Sequence, residues 1–179
     1  MNIILCGKKS DTAFSDALLP ALALYGGARY FSGEKLALYG LEPARFFVYD
    51  GETIPKIELD SGILLFKNSF DSGGQVHVPP HFFCILESKN VHAAELLRGT
   101  EVSAVTCGTS QKDTISVAGI QEGSAVLSLQ RNLVTLEGKV LEPHDFTVSL
   151  RSEIGPHRVL AVCAVLLLAG VDSSKGYTI

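Results

Sequence analysis

The residues best placed to do chemistry stand near the start of the chain. Gly7-Lys8-Lys9-Ser10-Asp11-Thr12 separates a short apolar run, Asn2 to Cys6, from a stretch with apolar residues at helical spacing. A strand, a glycine-bearing loop and a helix in that order bind phosphates: backbone N–H groups and the helix N-terminus face the anion, and a lysine adds charge. The working pattern closes on Gly-Lys-Ser/Thr. Here Ser10 stands where the second glycine belongs and Asp11 where the lysine belongs. A carboxylate at the phosphate-facing position repels a triphosphate, by an energy on the order of kcal/mol at ~4 Å in a semi-buried site. The loop geometry is expected to survive, and the ATPase chemistry is not. In the plainer reading Lys8 and Lys9 are a solvated pair, while Ser10 or Asp11 caps the helix.

Other candidates are sparser. Asp50 and Asp71 follow apolar runs and would hold a cation together if the fold brought them close; acids at strand ends are commonly just solvated. His77 and His81, with Cys84 three residues on, invite a zinc reading, but Pro79-Pro80 forbids the helix that would align both imidazoles, and no fourth ligand is evident. Asn68 and His157 are further polar candidates. Cys6, Cys84, Cys107 and Cys163 never form a C-x-x-C pair. Three of them sit inside apolar runs as small hydrophobes, so no disulfide framework is indicated. Neither a cysteine nucleophile nor a Ser-His-Asp set can be assigned by spacing.

These residues need elements to position them. Arg45 to Asp50, Gly62 to Lys67, His81 to Glu87 and Glu101 to Cys107 repeat the apolar character of Asn2 to Cys6, the pattern of strands buried on both faces of a parallel sheet. A helix carrying Phe14, Leu18, Ala21, Leu22 and Tyr25 is expected after the first loop, with Pro20 inside it and Gly26-Gly27 ending it. A loop spans Asp71 to Pro80. Asn90 caps a short helix through Ala93, Leu96 and Leu97. From Ile115 onward the segments alternate, Glu137-Gly138 suggests a hairpin, and a small antiparallel sheet is expected. Gly155-Pro156 opens a last helix, apolar nearly all round and therefore buried on more than one side.

The whole chain has 179 residues, 46% of them apolar and 19% charged, with a net charge of −4 and a mean hydropathy of +0.26. Such a composition excludes intrinsic disorder, and scattered Lys and Arg without a basic stripe argue against nucleic acid as partner. The apolar surplus points to a second subunit or protein partner. Met1 to Leu5 runs straight into Gly7-Lys8-Lys9 without a signal-peptide pattern. The apolar stretch Val159 to Gly170 is too short to span a bilayer, so the expectation is a cytoplasmic protein with no membrane span.

With these motifs in view the chain resembles the central domain of the Mur ligases and folylpolyglutamate synthases, ATP-dependent amide-forming ligases, shrunken and without the flanking domains. Gly7 to Thr12 matches the length of that family's G-T-x-G-K-T loop, retaining Gly7 and Thr12. Asp50 stands at the place of its magnesium-binding Glu. Phe66-Lys67-Asn68 and Asp71-Ser72 stand at its T-N and D-H, with the histidine missing. Ile85 to Leu97 is similar to its N-x-D-D strand and following helix, with Glu87 to Asn90 replacing the nucleotide-contacting acids. Val102 to Gly108 with Thr114 to Ile120 resembles its V-x-T-F-G strand and the next. Ile154 to Val159 resembles its G-x-H-N-V-x-N motif, with His157 kept and Arg158 in place of the first Asn. The departures share one direction, the loss of catalytic groups, and the segment between Asp71 and His81 is too short for the family's helix and modified lysine.

The resemblance implies one domain over residues 1–179, of α/β class. A mostly parallel sheet would lie between helices in the manner of P-loop NTPases, with a small antiparallel sheet in the second half. It also implies a non-catalytic module with a degenerate phosphate loop at Gly7, Lys8, Lys9, Ser10, Asp11 and Thr12, acting in binding, regulation or scaffolding, with a link to cell-envelope metabolism. No cofactor is expected. The alternative is a ligase or transferase that binds ATP or a phosphometabolite through a variant loop, and only then do ATP and magnesium enter.

Overall fold

In the computed structural model, which describes residues 1–71 and 77–179, one sheet of 11 strands organises the chain. In chain order its elements begin β1 Asn2–Cys6, α1 Ala13–Leu24, β2 Ala28–Ser32, β3 Lys35–Tyr39, β4 Phe46–Gly51, β5 Gly62–Phe66, β6 Phe82–Glu87, α2 Val91–Leu97 and β7 Ser103–Gly108. They continue with β8 Ile115–Gln121, β9 Ser124–Leu129, β10 Leu133–Val134, β11 Val140–Leu141, β12 His144–Ser149, α3 Pro156–Leu168 and β13 Tyr177–Thr178. The strand order is β13-β12-β9-β8-β7-β6-β5-β1-β4-β2-β3, and β10-β11 form a separate ribbon. The run from β8 through β2 is parallel throughout, whereas β2-β3, β8-β9 and β9-β12 are antiparallel.

The parallel strands follow from continuous apolar runs. Ile3 and Leu5 enter one core while Ile4 and Cys6 enter the other, so both faces of β1 are buried. The larger core takes α1 and α3, and the smaller takes α2 through Ala93. Every residue of α3 from Val159 onward is buried, as its all-round apolar character requires. Pro156 stands at its first turn, and Asn90 caps α2 by accepting from the Ala93 N–H at 3.0 Å. α1 stops where the Gly27 N–H turns back to the Leu22 carbonyl, with Gly27 at a φ of 77°. No helix among the described residues is long and apolar enough to cross a membrane.

The expected small antiparallel sheet is present as β10-β11, and the structure differs from the sequence reading in three details. The alternating strands after Ile115 are antiparallel, but β8, β9 and β12 extend the main sheet; only β10-β11, around Glu137-Gly138, stand apart. The suture is the parallel pairing of Cys107 with Ile115 and Gly108 with Ser116. The hairpin β2-β3 was not foreseen, because Ala28 to Tyr39 is only half apolar and β3 is an edge. Neither Ser10 nor Asp11 caps α1: the Asp11 N–H turns back to the Lys8 carbonyl at 3.0 Å, which delays the helix and leaves Thr12 at the cap. The middle of the loop expected over Asp71 to Pro80, Ser72 included, lies outside the described residues.

Candidate functional site

The chain passes from β1 through α1 to strands on one side, then returns across β1 to β5 on the other. In open α/β sheets the crevice at the carboxyl ends of such strands is where ligands bind. Cys6-Gly7 leaves β1 at that crevice, flanked by the ends of β4 and β5. The Gly7 N–H donates to the Gly51 carbonyl at 3.1 Å, and the Lys67 N–H to the Cys6 carbonyl at 2.8 Å. The loop mouth is thereby laced to both neighbours.

Beneath Gly7 runs the side chain of Lys67. It crosses the end of β1, bridging strands about 10 Å apart, and its Nζ meets Asp50 Oδ1 at 2.6 Å with the side chains 0% and 7% exposed. The second Asp50 oxygen accepts from the Tyr30 hydroxyl at 3.2 Å. Burial foremost, and the nearby carboxylate, push the Tyr30 phenol above its ordinary range. Lys67 Nζ has no further hydrogen-bond partner among the described residues, so Asp50 alone answers this ammonium. Gly7 is what lets the lysine pass: a Cβ there would lie 2.6 Å from Lys67 Cβ and 2.9 Å from Ser69 Oγ.

The loop amides also have partners from within the chain. The Lys8 N–H donates to Ser69 Oγ at 3.1 Å, and the Lys9 N–H to Glu52 Oε1 at 3.2 Å. Thr12 Oγ1 donates to Asp16 Oδ2 at 2.8 Å, directing its hydroxyl toward its own helix. The side chains of Lys8, Lys9 and Ser10 are exposed. A cavity of about 240 Å³ opens beside the loop, walled by Lys9, Thr12, Tyr30, Lys35 and Asp50 among others.

On the other side the fold gathers three of the sequence candidates. Asp11, Asn68 and His157 line one pocket of about 250 Å³ with Phe14 and Arg158, between the starts of α1 and α3. His157 Nε2 sits 3.1 Å from Glu87 Oε1 at the end of β6. Asp50 and Asp71 have different partners: Asp50 holds Lys67, and exposed Asp71 lies 3.7 Å from His92 Nε2. No group of three or more His, Cys, Asp or Glu side chains suited to a metal ion occurs among the described residues. All four cysteines are free and buried.

Sequence reasoning missed Lys67, Glu52 and Ser69 as parts of the loop's surroundings. The available signal was Lys67 itself, a charged residue closing the buried run Gly62 to Phe66. Asp50 closes the run on the opposite side of β1, and two such charges at one sheet edge must meet or be solvated.

No protein-family model matches the chain, and no curated protein matches it. Solved structures do. A Mur ligase architecture, of the class expected from the motifs, is what the fold defines. MurF ligase from Thermotoga maritima, in complex with ADP, superposes over 100% of this chain and 48% of its own, at TM-score 0.58 and 14% identity. The murein peptide ligase Mpl from Psychrobacter arcticus 273-4 covers 97% of this chain and 45% of its own, at TM-score 0.61 and 12% identity. UDP-N-acetylmuramate:L-alanyl-gamma-D-glutamyl-meso-diaminopimelate ligase from Neisseria meningitides covers 97% and 63%, at TM-score 0.62 and 13% identity. The chain is thus Mur-ligase-like over its full length and spans about half the length of the first two ligases.

Proposed function

We propose that residues 1–179 form a single Mur-ligase-like domain without ligase activity, acting as a binding, regulatory or scaffold module in cell-envelope metabolism. The observation that carries this reading is the buried Lys67–Asp50 pair beneath Gly7. Magnesium needs free carboxylate oxygens, and a phosphate at such a loop needs free N–H groups. Asp50, the acid at the magnesium position of the resemblance, has one oxygen on an ammonium and the other on a phenol. The Lys9 N–H faces the Glu52 carboxylate, so an anion of the chain already holds that donor. These residues do not fit a magnesium–nucleotide complex.

A second reading keeps a nucleotide- or phosphometabolite-binding ligase or transferase. The pocket shared by Asp11, Asn68, His157 and Arg158 favours it, because it lies at two helix starts and contains a guanidinium. Thermal unfolding with and without Mg-ATP, Mg-ADP and a panel of phosphorylated metabolites separates the two. A ligand at 100 times its Kd stabilises by about 2.7 kcal/mol, which raises Tm by roughly 5–10 °C for a chain of this size. The expected result is no shift. A shift abolished by Thr12→Ala, or by Arg158→Ala in the shared pocket, would replace the first reading with the second.

A further inference from the structure

The face of the sheet that carries α2 has two uncovered wings of opposite character. On β9 and β12 that face presents Ser124, Val126, Ser128, Asp145, Thr147 and Ser149, a largely polar set. On β3, β2 and β4 the same face presents Leu36, Leu38, Phe31, Arg29, Phe47 and Tyr49. Pairing aligns them in two rows: Leu36 beside Phe31 beside Tyr49, and Leu38 beside Arg29 beside Phe47. Leu36 is 77% exposed, Leu38 48%, Phe47 41% and Phe31 40%. An apolar groove of about 240 Å³ continues this wing past Phe47 and Tyr49 to Ile4, Pro55, Ile57 and Leu59. The polar wing is what a sheet face in water requires, so the apolar one is built to be covered.

We infer that this wing is the interface of a two-fold symmetric homodimer, in which the β3-β2-β4 face of one copy packs on that of the other. At about 150–200 Å² for a fully exposed Phe or Leu, the exposed parts of Phe31, Leu36, Leu38, Phe47 and Leu59 amount to roughly 450 Å². Interfaces are about 57% apolar, so that much apolar surface corresponds to roughly 800 Å² per partner, the standard size of a stable complex. The charges beside it select a second copy over an acidic or basic partner. Arg29, in the middle of its row, bonds Glu42 at 3.0 Å, and Lys56 pairs with Glu58 beside the groove, so these charges are paired within each copy and meet a second copy without net repulsion. A two-fold interface sets each residue of one copy against a different residue of the other and the reverse, and a patch without net charge meets itself without repulsion. The proposal adds a partner to the module reading and does not depend on a silent loop: nucleotide titration tests that reading and molecular mass tests this one.

Light scattering on the eluting full chain, from 1 to 100 µM, should give twice the 19.1 kDa of one copy at the upper concentrations. Leu36→Glu and Phe47→Glu should each weaken self-association at least tenfold, while Thr147→Glu on the polar wing should leave it unchanged. Circular dichroism confirms folding, and Leu36→Glu with Leu38→Glu decides the matter if the Phe47 variant does not fold. A chain of single-copy mass at 100 µM overturns the proposal. So does a dimer that Leu36→Glu leaves intact, or one that Thr147→Glu dissolves.

Discussion

Replacing Lys67 by Met removes an ammonium from a place with no water to spare. The Lys67 side chain is 0% exposed and its Nζ lies 2.6 Å from a carboxylate that is itself 7% exposed. Breaking a buried pair by deleting one partner costs about 3–5 kcal/mol, because the remaining charge is stranded. Asp50 keeps the Tyr30 hydroxyl at 3.2 Å, which places the expected cost near the lower end, about 3 kcal/mol. For a chain of this length that is a fall in Tm of roughly 6–12 °C. Replacing both residues, Lys67→Met with Asp50→Leu, removes the stranded charge at the loss of the Tyr30–Asp50 hydrogen bond. The double variant should lie within about 1–2 kcal/mol of the parent, so the two changes are far from additive. Urea unfolding followed by far-UV circular dichroism, with an unchanged m-value, measures all four corners of the cycle. A single-variant loss under about 1 kcal/mol, or additive effects, would show that the pair is solvated and does not hold the loop.

Two further changes probe the same region. Gly7→Ala introduces a Cβ 2.6 Å from Lys67 Cβ at a φ of 153°, so overpacking and backbone strain together should remove about 2–5 kcal/mol, read as a drop in the urea midpoint. Burial pushes the Cys6 and Cys84 thiols up to about 12 and raises Cys107 and Cys163 as well, so all four should resist Ellman's reagent at pH 8 until the chain is unfolded. Above the ordinary thiol pKa of 9.0 the unfolded chain loses protons that the folded chain keeps, so stability should fall as pH rises from 9 toward 12. Rapid labelling of any one thiol in the native protein would contradict its placement in the core.

The parts of the fold legible in the sequence were those written in a single physical signal. Asn2 to Cys6 and Gly62 to Phe66 are continuous apolar runs, and a continuous run has no place except a strand covered on both faces. Asn90 and Gly155-Pro156 each mark a helix start by their own chemistry, and both do so in the fold. β2 and β3 were hidden because Arg29, Phe31, Leu36 and Leu38 share an outward face where apolar and polar residues mix, so neither strict alternation nor a continuous run appears. The cap of α1 was misplaced because Ser10, Asp11 and Thr12 can all accept from a helix start, and the choice depends on the Lys8–Asp11 turn. The surroundings of the loop were hidden for a different reason. Glu52, Ser69 and Lys67 come to it across strand neighbours, and spacing along one chain carries no record of which strands flank β1.

Under the proposed reading, that cross-strand supply satisfies a phosphate-type loop from within the chain without unmaking its fold. A β1–loop–α1 unit with the end of β4 beside it leaves loop N–H groups and a strand-end acid that must be satisfied whether or not a ligand arrives. If catalytic side chains alone were lost, those groups would remain open to water or anions. Here Ser69 and Glu52 face the Lys8 and Lys9 N–H groups, and Lys67 faces Asp50, each from a strand end next to β1 or just beyond it. The cation and the anion at this crevice are thus side chains of the chain itself. Restoring the Gly-Lys pattern at Ser10 and Asp11 alone should therefore leave the loop unresponsive to nucleotide. Adding Lys67→Thr and Glu52→Ala to it should be what opens the site, with a nucleotide-dependent rise in Tm only in the combined variant. A rise already present with Ser10→Gly and Asp11→Lys alone would mean that the loop sequence, and not the side chains that fill it, limits nucleotide binding.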